Sequence, residues 1–211
     1  MSQQLATLQK KIAAEIAAQK ENIIPAGGRI NTKGKVFTLP DGEAVKNNTL
    51  TAVILDYRFN NTYYQAMWDG ASANRPDCSA TNKNQASLTP GAEVENPIAA
   101  ECEGCPMNQW GSASNGRGGK ACQNKVRLAL CTPDADITSP IFTLDLTPTA
   151  LKSFNAYMDA ANKNEVLPIN LVTEITFDPA TSYPTCRLKA VGKNEAFELH
   201  WTLRERAQAV L

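Results

Sequence analysis

The chain has 211 residues, 43% of them hydrophobic, which is enough for one large domain with a sizeable core. Its 21 basic and 21 acidic residues balance, so any binding to nucleic acid or to an anionic membrane must come from local clusters of charge. The first residues lack the basic and apolar regions of a signal peptide, and no run reaches the roughly 20 apolar residues of a membrane-spanning helix. We therefore expect a soluble intracellular protein.

Residues 1–24 are predicted to form an amphipathic helix that packs on the rest of the chain. Apolar side chains recur there at steps of three or four, at Leu5, Leu8, Ile12 and Ile16. Residues 25–211 are predicted to form a single β-rich domain. Its first part, residues 29–42, alternates in polarity around a Lys-Gly-Lys turn, which predicts two short strands.

The middle and the end of the chain carry the remaining strand patterns. The β-branched, apolar run at residues 49–59 predicts a central strand. Thr147 and Pro148 are typical of a helix start, and the helix would place Leu151, Phe154 and Met158 on one face. Further strands are predicted at residues 125–131, 140–146, 170–178, 185–192 and 197–203. The pattern indicates an α+β protein that is mostly β and mostly antiparallel.

A polar insertion interrupts this framework at about residues 60–123, where hydrophobic periodicity disappears. A loop of this length is improbable in a compact domain unless something other than a hydrophobic core organises it. The insertion contains Cys78, Cys102, Cys105 and Cys122, and two of these form a CxxC knuckle. Four thiolates suit a structural zinc site, which can supply on the order of 10 kcal/mol of folding free energy. We predict Zn²⁺ bound by these four cysteines.

Other interpretations of the cysteines remain open at this point. An iron–sulfur cluster or a disulfide is the alternative to zinc. Cys131 and Cys186 belong to apolar strand patterns and are interpreted as small buried hydrophobic residues. The single histidine, His200, is interpreted as a surface or packing residue, and Asp56 as a turn or cap residue.

Cations and aromatic rings cluster in and around the insertion, and residues 107–133 contain no acidic residue. Cations beside aromatic platforms are typical of grooves for single-stranded nucleic acid, because charge follows the phosphates and rings stack on unpaired bases. The alternative is that the cations are solvated and the rings lie in the core. The predicted contact residues are Lys33, Lys35, Phe37, Tyr63, Tyr64, Trp68, Trp110, Arg117, Lys120, Lys125 and Arg127.

Several motifs together resemble a family of bacteriophage single-stranded DNA-binding proteins of the replication or recombination module. In chain order they are KGKVFTLPDG at 33–42, PDC at 76–78, CEGCPMNQWGS at 102–112, GKAC at 119–122 and RL at 127–128. The resemblance implies an OB-like antiparallel barrel or sheet with flanking helices, and a zinc-bearing insertion whose ligands are the four cysteines named above. It also implies a phage-encoded protein in the host cell cytoplasm.

The predicted function is therefore sequence-independent binding of single-stranded DNA, with phage replication or recombination proteins as further partners. The acidic tail by which many such proteins recruit partners is missing at the end of this sequence, which is LRERAQAVL. The alternative is an adaptor that binds a host or phage protein through its zinc knot, without nucleic-acid activity. We do not expect an enzyme, since four thiolates leave no open position on the metal.

Overall fold

The structure is a computed structural model that describes residues 10–12, 14, 27–66, 75–114 and 118–211. The predicted class, α+β and mostly β with antiparallel strands, is confirmed. The strands are β1 (Leu50–Tyr63), β2 (Cys78–Asn82), β3 (Gln123–Cys131), β4 (Phe142–Leu146), β5 (Leu171–Phe177) and β6 (Cys186–Lys193). The helices are α1 (Leu151–Lys163) and α2 (Phe197–Gln208).

The predicted N-terminal helix lies almost entirely outside the described residues. Lys10, Lys11, Ile12 and Ala14 are described and are helical. Among the helices of the described residues, none is long and apolar enough to cross a membrane.

Strand β1 is the centre of the sheet, whose order is β4-β3-β1-β5-β6 with β2 also paired to β1. One edge of β1 pairs with β3 along most of its length. The other edge is shared: residues 50–53 pair with β5, and residues 59–63 pair with β2. Residues 54–58 of β1 have no strand partner on that side among the described residues.

A β-bulge between Ile54 and Asp56 changes which side chains of β1 point to each face of the sheet. On one face, Ile54 packs in a core with Leu128, Leu144 and Phe154, so that α1 covers this face. On the other face, residues of β1 and β3 pack with α2 in a second core, which contains Val53, Leu55, Ala129, Cys131, Leu203 and Ala207. Full burial of one large apolar side chain contributes about 1.5–3 kcal/mol, so the two cores hold the helices against the sheet.

Helix α1 confirms the helix predicted after Thr147 and Pro148. A short 3-10 turn at Pro148–Ala150 leads into it, and its buried residues are Phe154, Tyr157 and Ala161. The hydroxyl groups of Tyr157 and Thr173 are hydrogen-bonded at 2.7 Å, which ties α1 to β5.

The prediction of a strand at residues 197–203 is wrong, because these residues belong to helix α2. Its buried residues are His200, Leu203 and Ala207, which recur at three and four residues, whereas Leu199 and Trp201 are exposed. A run this short fits both the two-residue period of a strand and the 3.6-residue period of a helix. Here the residues that recur with the helical period are the buried ones. His200 is a packing residue with its Nδ1 3.0 Å from Asn194 Oδ1.

The segment at residues 29–42 forms a compact turn structure in place of two regular strands. Isolated bridges pair Asn31 with Thr38 and Thr38 with Ala44, and a 3-10 turn spans Lys33–Lys35. Gly34 adopts a φ of 69° in that turn, a conformation that favours glycine.

The predicted burial of Cys131 and Cys186 is confirmed, and it makes stability sensitive to alkaline pH. Burial, together with the charge of Asp134 in the case of Cys131, raises the pKa of each thiol from 9.0 to about 12. Above pH 9 the unfolded chain loses these protons while the folded protein keeps them. The free energy of unfolding should therefore fall by up to about 1.4 kcal/mol per pH unit for each thiol between pH 9 and 12.

Urea denaturation at a series of alkaline pH values measures this dependence. The double variant Cys131→Ala, Cys186→Ala is the control, and its stability should decline less steeply than that of the wild type. Equal slopes for the two proteins would contradict the role assigned to the thiols.

Candidate metal centre and nucleic-acid interface

The four cysteines of the insertion meet at the end of β1. Cys78 pairs with Tyr63 on one edge of β1. On the other edge Gln123 pairs with Thr62, so the preceding Cys122 also lies beside the strand end. Cys102 and Cys105 come from the loop between β2 and β3, and all four cysteines line one small cavity. The pairing of β1 with β2 and β3 thus unites cysteines that are distant in the sequence.

Hydrogen bonds fix the CxxC knuckle against this cavity. The amide of Cys102 donates to the Leu88 carbonyl at 3.0 Å, and the amide of Cys122 donates to the Met107 carbonyl at 2.8 Å. The Asn108 side chain donates to the Cys102 carbonyl at 2.7 Å. These bonds hold the knuckle and the start of β3 together without a large hydrophobic core.

Burial and mutual repulsion in the cavity disfavour the thiolate form of its cysteines. Burial first, and then the charges of the other three thiolates, raise the pKa of Cys122 to about 12. Burial and neighbouring thiolates also raise the pKa values of Cys78 and Cys102. Four thiolates at this place repel one another unless a cation compensates their charge, and metal binding must displace the thiol protons.

Polar groups oppose part of this rise at two of the sulfur atoms. The Asn61 side chain lowers the pKa of Cys102, and the Ile98 backbone lowers the pKa of Cys78. Polar groups of this kind beside a sulfur stabilise its thiolate form. The donor set therefore suits a metal that prefers sulfur. Within the part of the chain that the structure describes, however, no group of three or more His, Cys, Asp or Glu side chains is already arranged as a metal site.

Trp110 and Lys120 are the members of the predicted contact set that lie beside the knuckle, Trp110 exposed and Lys120 half-buried. The Trp110 side chain is 79% exposed. The Lys120 ammonium lies 5.7 Å from the centroid of its ring and donates to Asn108 Oδ1 at 3.2 Å. Tyr64 is 42% exposed at the end of β1, and Tyr63 is half-buried. Trp68 and Arg117 lie outside the described residues.

Phe37, Lys35 and Arg127 each have a partner inside the protein, and the prediction that Phe37 stacks on a base is wrong. Phe37 is fully buried and stacks on Phe177 with ring centroids 4.1 Å apart, so it cannot stack on a base. Lys35 Nζ donates to two backbone carbonyls at 2.8 Å. Arg127 donates to both carboxylate oxygens of Asp145, at 2.7 and 3.2 Å, so a phosphate would have to compete for it.

Lys33 and Lys125 differ in their exposure to solvent. Lys33 is exposed in its turn. Lys125 is half-buried, and burial lowers its pKa, an effect that the nearby Asp145 carboxylate opposes. Arg29, which also pairs with Asp145 at 3.0 Å, keeps 63% of its side chain exposed. Among the described residues, fewer of the predicted cations are fully exposed than the sequence predicts.

The interpretation of Asp56 as a turn or cap residue is wrong. It is buried in β1, with Lys83 Nζ at 2.8 Å, Arg58 at 3.3 Å and Arg204 at 3.6 Å. Burial raises the pKa of this carboxyl, but hydrogen bonds from Lys83 and the Tyr57 amide and the nearby charges lower it below its usual value overall. Asp56 is thus an ionised structural anchor at the unpaired stretch of β1.

The structure also gathers amide side chains that sequence reasoning did not single out. They line a cleft of about 470 Å³ next to the knuckle, at Asn61, Asn84, Gln85, Asn108, Gln109 and Asn124. The abundance of Asn and Gln between residues 60 and 124 is the only sequence signal for it. Their convergence depends on the pairing of β1 with β2 and β3.

Comparisons of the chain with protein-family models, with curated proteins and with solved structures found no match. The resemblance to a phage family therefore stays a prediction based on its motifs.

Proposed function

We propose that the protein binds single-stranded DNA through Trp110 and Lys120, which a zinc-bound cysteine knuckle presents beside the β-sheet. The observation that supports this most is the 79% exposure of Trp110, together with the position of the Lys120 ammonium group over the Trp110 ring. In this proposal the protein is phage-encoded and acts on unwound DNA in the host cytoplasm during replication or recombination.

An exposed indole ring beside a cation suits an unpaired strand. The ring can stack on a base of any sequence, and such stacking contributes about 1–3 kcal/mol per base. The Lys120 ammonium lies close enough to the ring to contact the phosphate of the stacked nucleotide. Tyr64, at the end of β1, offers a second accessible ring.

The number of accessible cations predicts a modest dependence of binding on salt. Among the described cations of this surface, Lys33 and Arg29 are exposed, and Lys120 and Lys125 are half-buried. Three or four phosphate contacts to a single strand give a slope of log K against log salt of about −2 to −3. Stacking would supply the rest of the affinity.

Zinc would be held by Cys78, Cys102, Cys105 and Cys122. A bound zinc ion supplies charge compensation and cross-links the knuckle to the ends of β2 and β3. The chain's own residues then present Trp110, because the backbone from Cys105 to the 3-10 turn at Pro106–Asn108 leads directly to it.

The proposal does not depend on an OB-like barrel. Among the described residues β4 and β6 are the outer strands and are not paired with each other. The proposed surface lies at the end of β1, where an open sheet or a barrel could present it equally well.

Fluorescence anisotropy with a labelled single-stranded oligonucleotide and its duplex tests the proposal. Titrations at about 50 and 200 mM salt should show binding to the single strand, weakened by roughly 20- to 60-fold over this range, and much weaker binding to the duplex. Absence of binding at the lower salt by zinc-loaded protein would reject the proposal. Trp110 would then be better explained as a protein contact, as in the adaptor alternative.

A further inference from the structure

The amide-lined cleft beside the knuckle has the chemistry of a nucleobase site. Its floor is a connected network: Asn124 Nδ2 donates to Asn61 Oδ1 at 2.8 Å and to Asn108 Oδ1 at 2.9 Å. Asn108 in turn donates to the Cys102 carbonyl at 2.7 Å. These bonds hold the floor amides in fixed orientations, so the polar surface of the cleft is organised before any ligand binds.

The rim amides, in contrast, keep hydrogen-bonding groups available. Gln85 is exposed at the rim, so its side-chain amide is accessible to a ligand. Asn84 uses its Oδ1 to accept from the Ala86 amide at 3.0 Å, which leaves its NH₂ group. Gln109 uses its Nε2 to donate to the carbonyls of Glu103 and Cys105, which leaves its Oε1. The rim therefore offers both donors and acceptors to a planar polar ligand.

The cleft is also continuous with the proposed path of the strand. Lys120 lines the cleft, and its ammonium group lies over the Trp110 ring. A nucleotide next to the one stacked on Trp110 can therefore reach the cleft. The volume of about 470 Å³ is within the usual range for small-molecule sites.

We propose that this cleft holds one unstacked base of the bound strand and that it favours adenine. This inference rests on the proposed function and adds a base preference at one nucleotide. A side-chain amide can donate to N7 and accept from N6 of adenine at the same time. Glu103 also lines the cleft, and its carboxylate would accept from the N6 amine of adenine and repel the O6 of guanine and the O4 of thymine.

The test uses an oligothymidine strand with one central adenine and the same strand with an abasic residue in its place. For the zinc-loaded wild type, anisotropy titration should give about tenfold tighter binding to the adenine strand. Gln85→Ala should reduce that difference to within about twofold while it still binds plain oligothymidine. Gln208→Ala, an exposed glutamine on α2, is the matched control and should keep the full difference.

The outcomes separate this inference from the proposed function. Equal affinity for the adenine, abasic and plain thymidine strands would reject the base site while leaving single-stranded DNA binding in place. A preference that persists unchanged in Gln85→Ala would also reject it. Absence of binding to all three strands would reject both proposals.

Discussion

Replacement of Cys122 by serine is expected to remove stoichiometric zinc from the purified protein and to lower its free energy of unfolding by more than about 3 kcal/mol. Structural zinc sites contribute on the order of 10 kcal/mol, and a serine ligand does not replace a thiolate. Cys122 is buried, and it directly precedes β3, which pairs with β1. Loss of the metal should therefore loosen the sheet as well as the knuckle.

Elemental analysis and urea denaturation measure the two effects. Cys131→Ala is the control, since this buried thiol lies in the core packed by α2, and it should leave the zinc content unchanged. Wild-type protein without bound metal, or Cys122→Ser with the full metal content, would contradict the proposed site.

Trp110→Ala should weaken binding to single-stranded DNA by roughly tenfold or more, because loss of one stacked base costs about 1–3 kcal/mol. The folded state should be unaffected, since the side chain is exposed and does not belong to either large core. Anisotropy titration gives the affinity, and thermal unfolding checks the fold.

Trp201→Ala is a matched control for this substitution. Trp201 is 44% exposed and carries the Arg204 guanidinium 4.8 Å from its ring centroid, but it lies on α2. The Trp201→Ala variant should bind single-stranded DNA with the affinity of the wild type. Equal loss of affinity in both variants would indicate that exposed tryptophans contribute non-specifically, and the proposed surface would be wrong.

Much of the framework could be predicted from the sequence because its patterns are local. The apolar run at residues 49–59, the segments at 125–131 and 140–146, and the helix after Pro148 correspond to β1, β3, β4 and α1. The strand predicted at residues 197–203 is wrong because the local pattern there is ambiguous. A short run with apolar residues at both spacings does not fix its period, and packing of Leu203 and Ala207 decides it.

The candidate site depends on long-range pairing that no local pattern contains. The sequence suggests that the four cysteines belong together, but only the registers of β1 with β2 and β3 place Cys78 and Cys122 at the same strand end. The same pairing forms the amide cleft. The sequence also does not show whether Phe37 is buried, since an aromatic residue beside lysines can lie in the core or on the surface. Its burial follows from stacking on Phe177, which is far away in the chain.

Ultraviolet cross-linking tests the central claim most directly, because it reports both that a single strand binds and where. Full-length, zinc-loaded protein is irradiated with a single strand that carries bromodeoxyuridine, and the modified peptides are identified by mass spectrometry. We expect adducts at Trp110, and their loss in Trp110→Ala. Absence of adducts, or adducts confined to α2, would contradict the account.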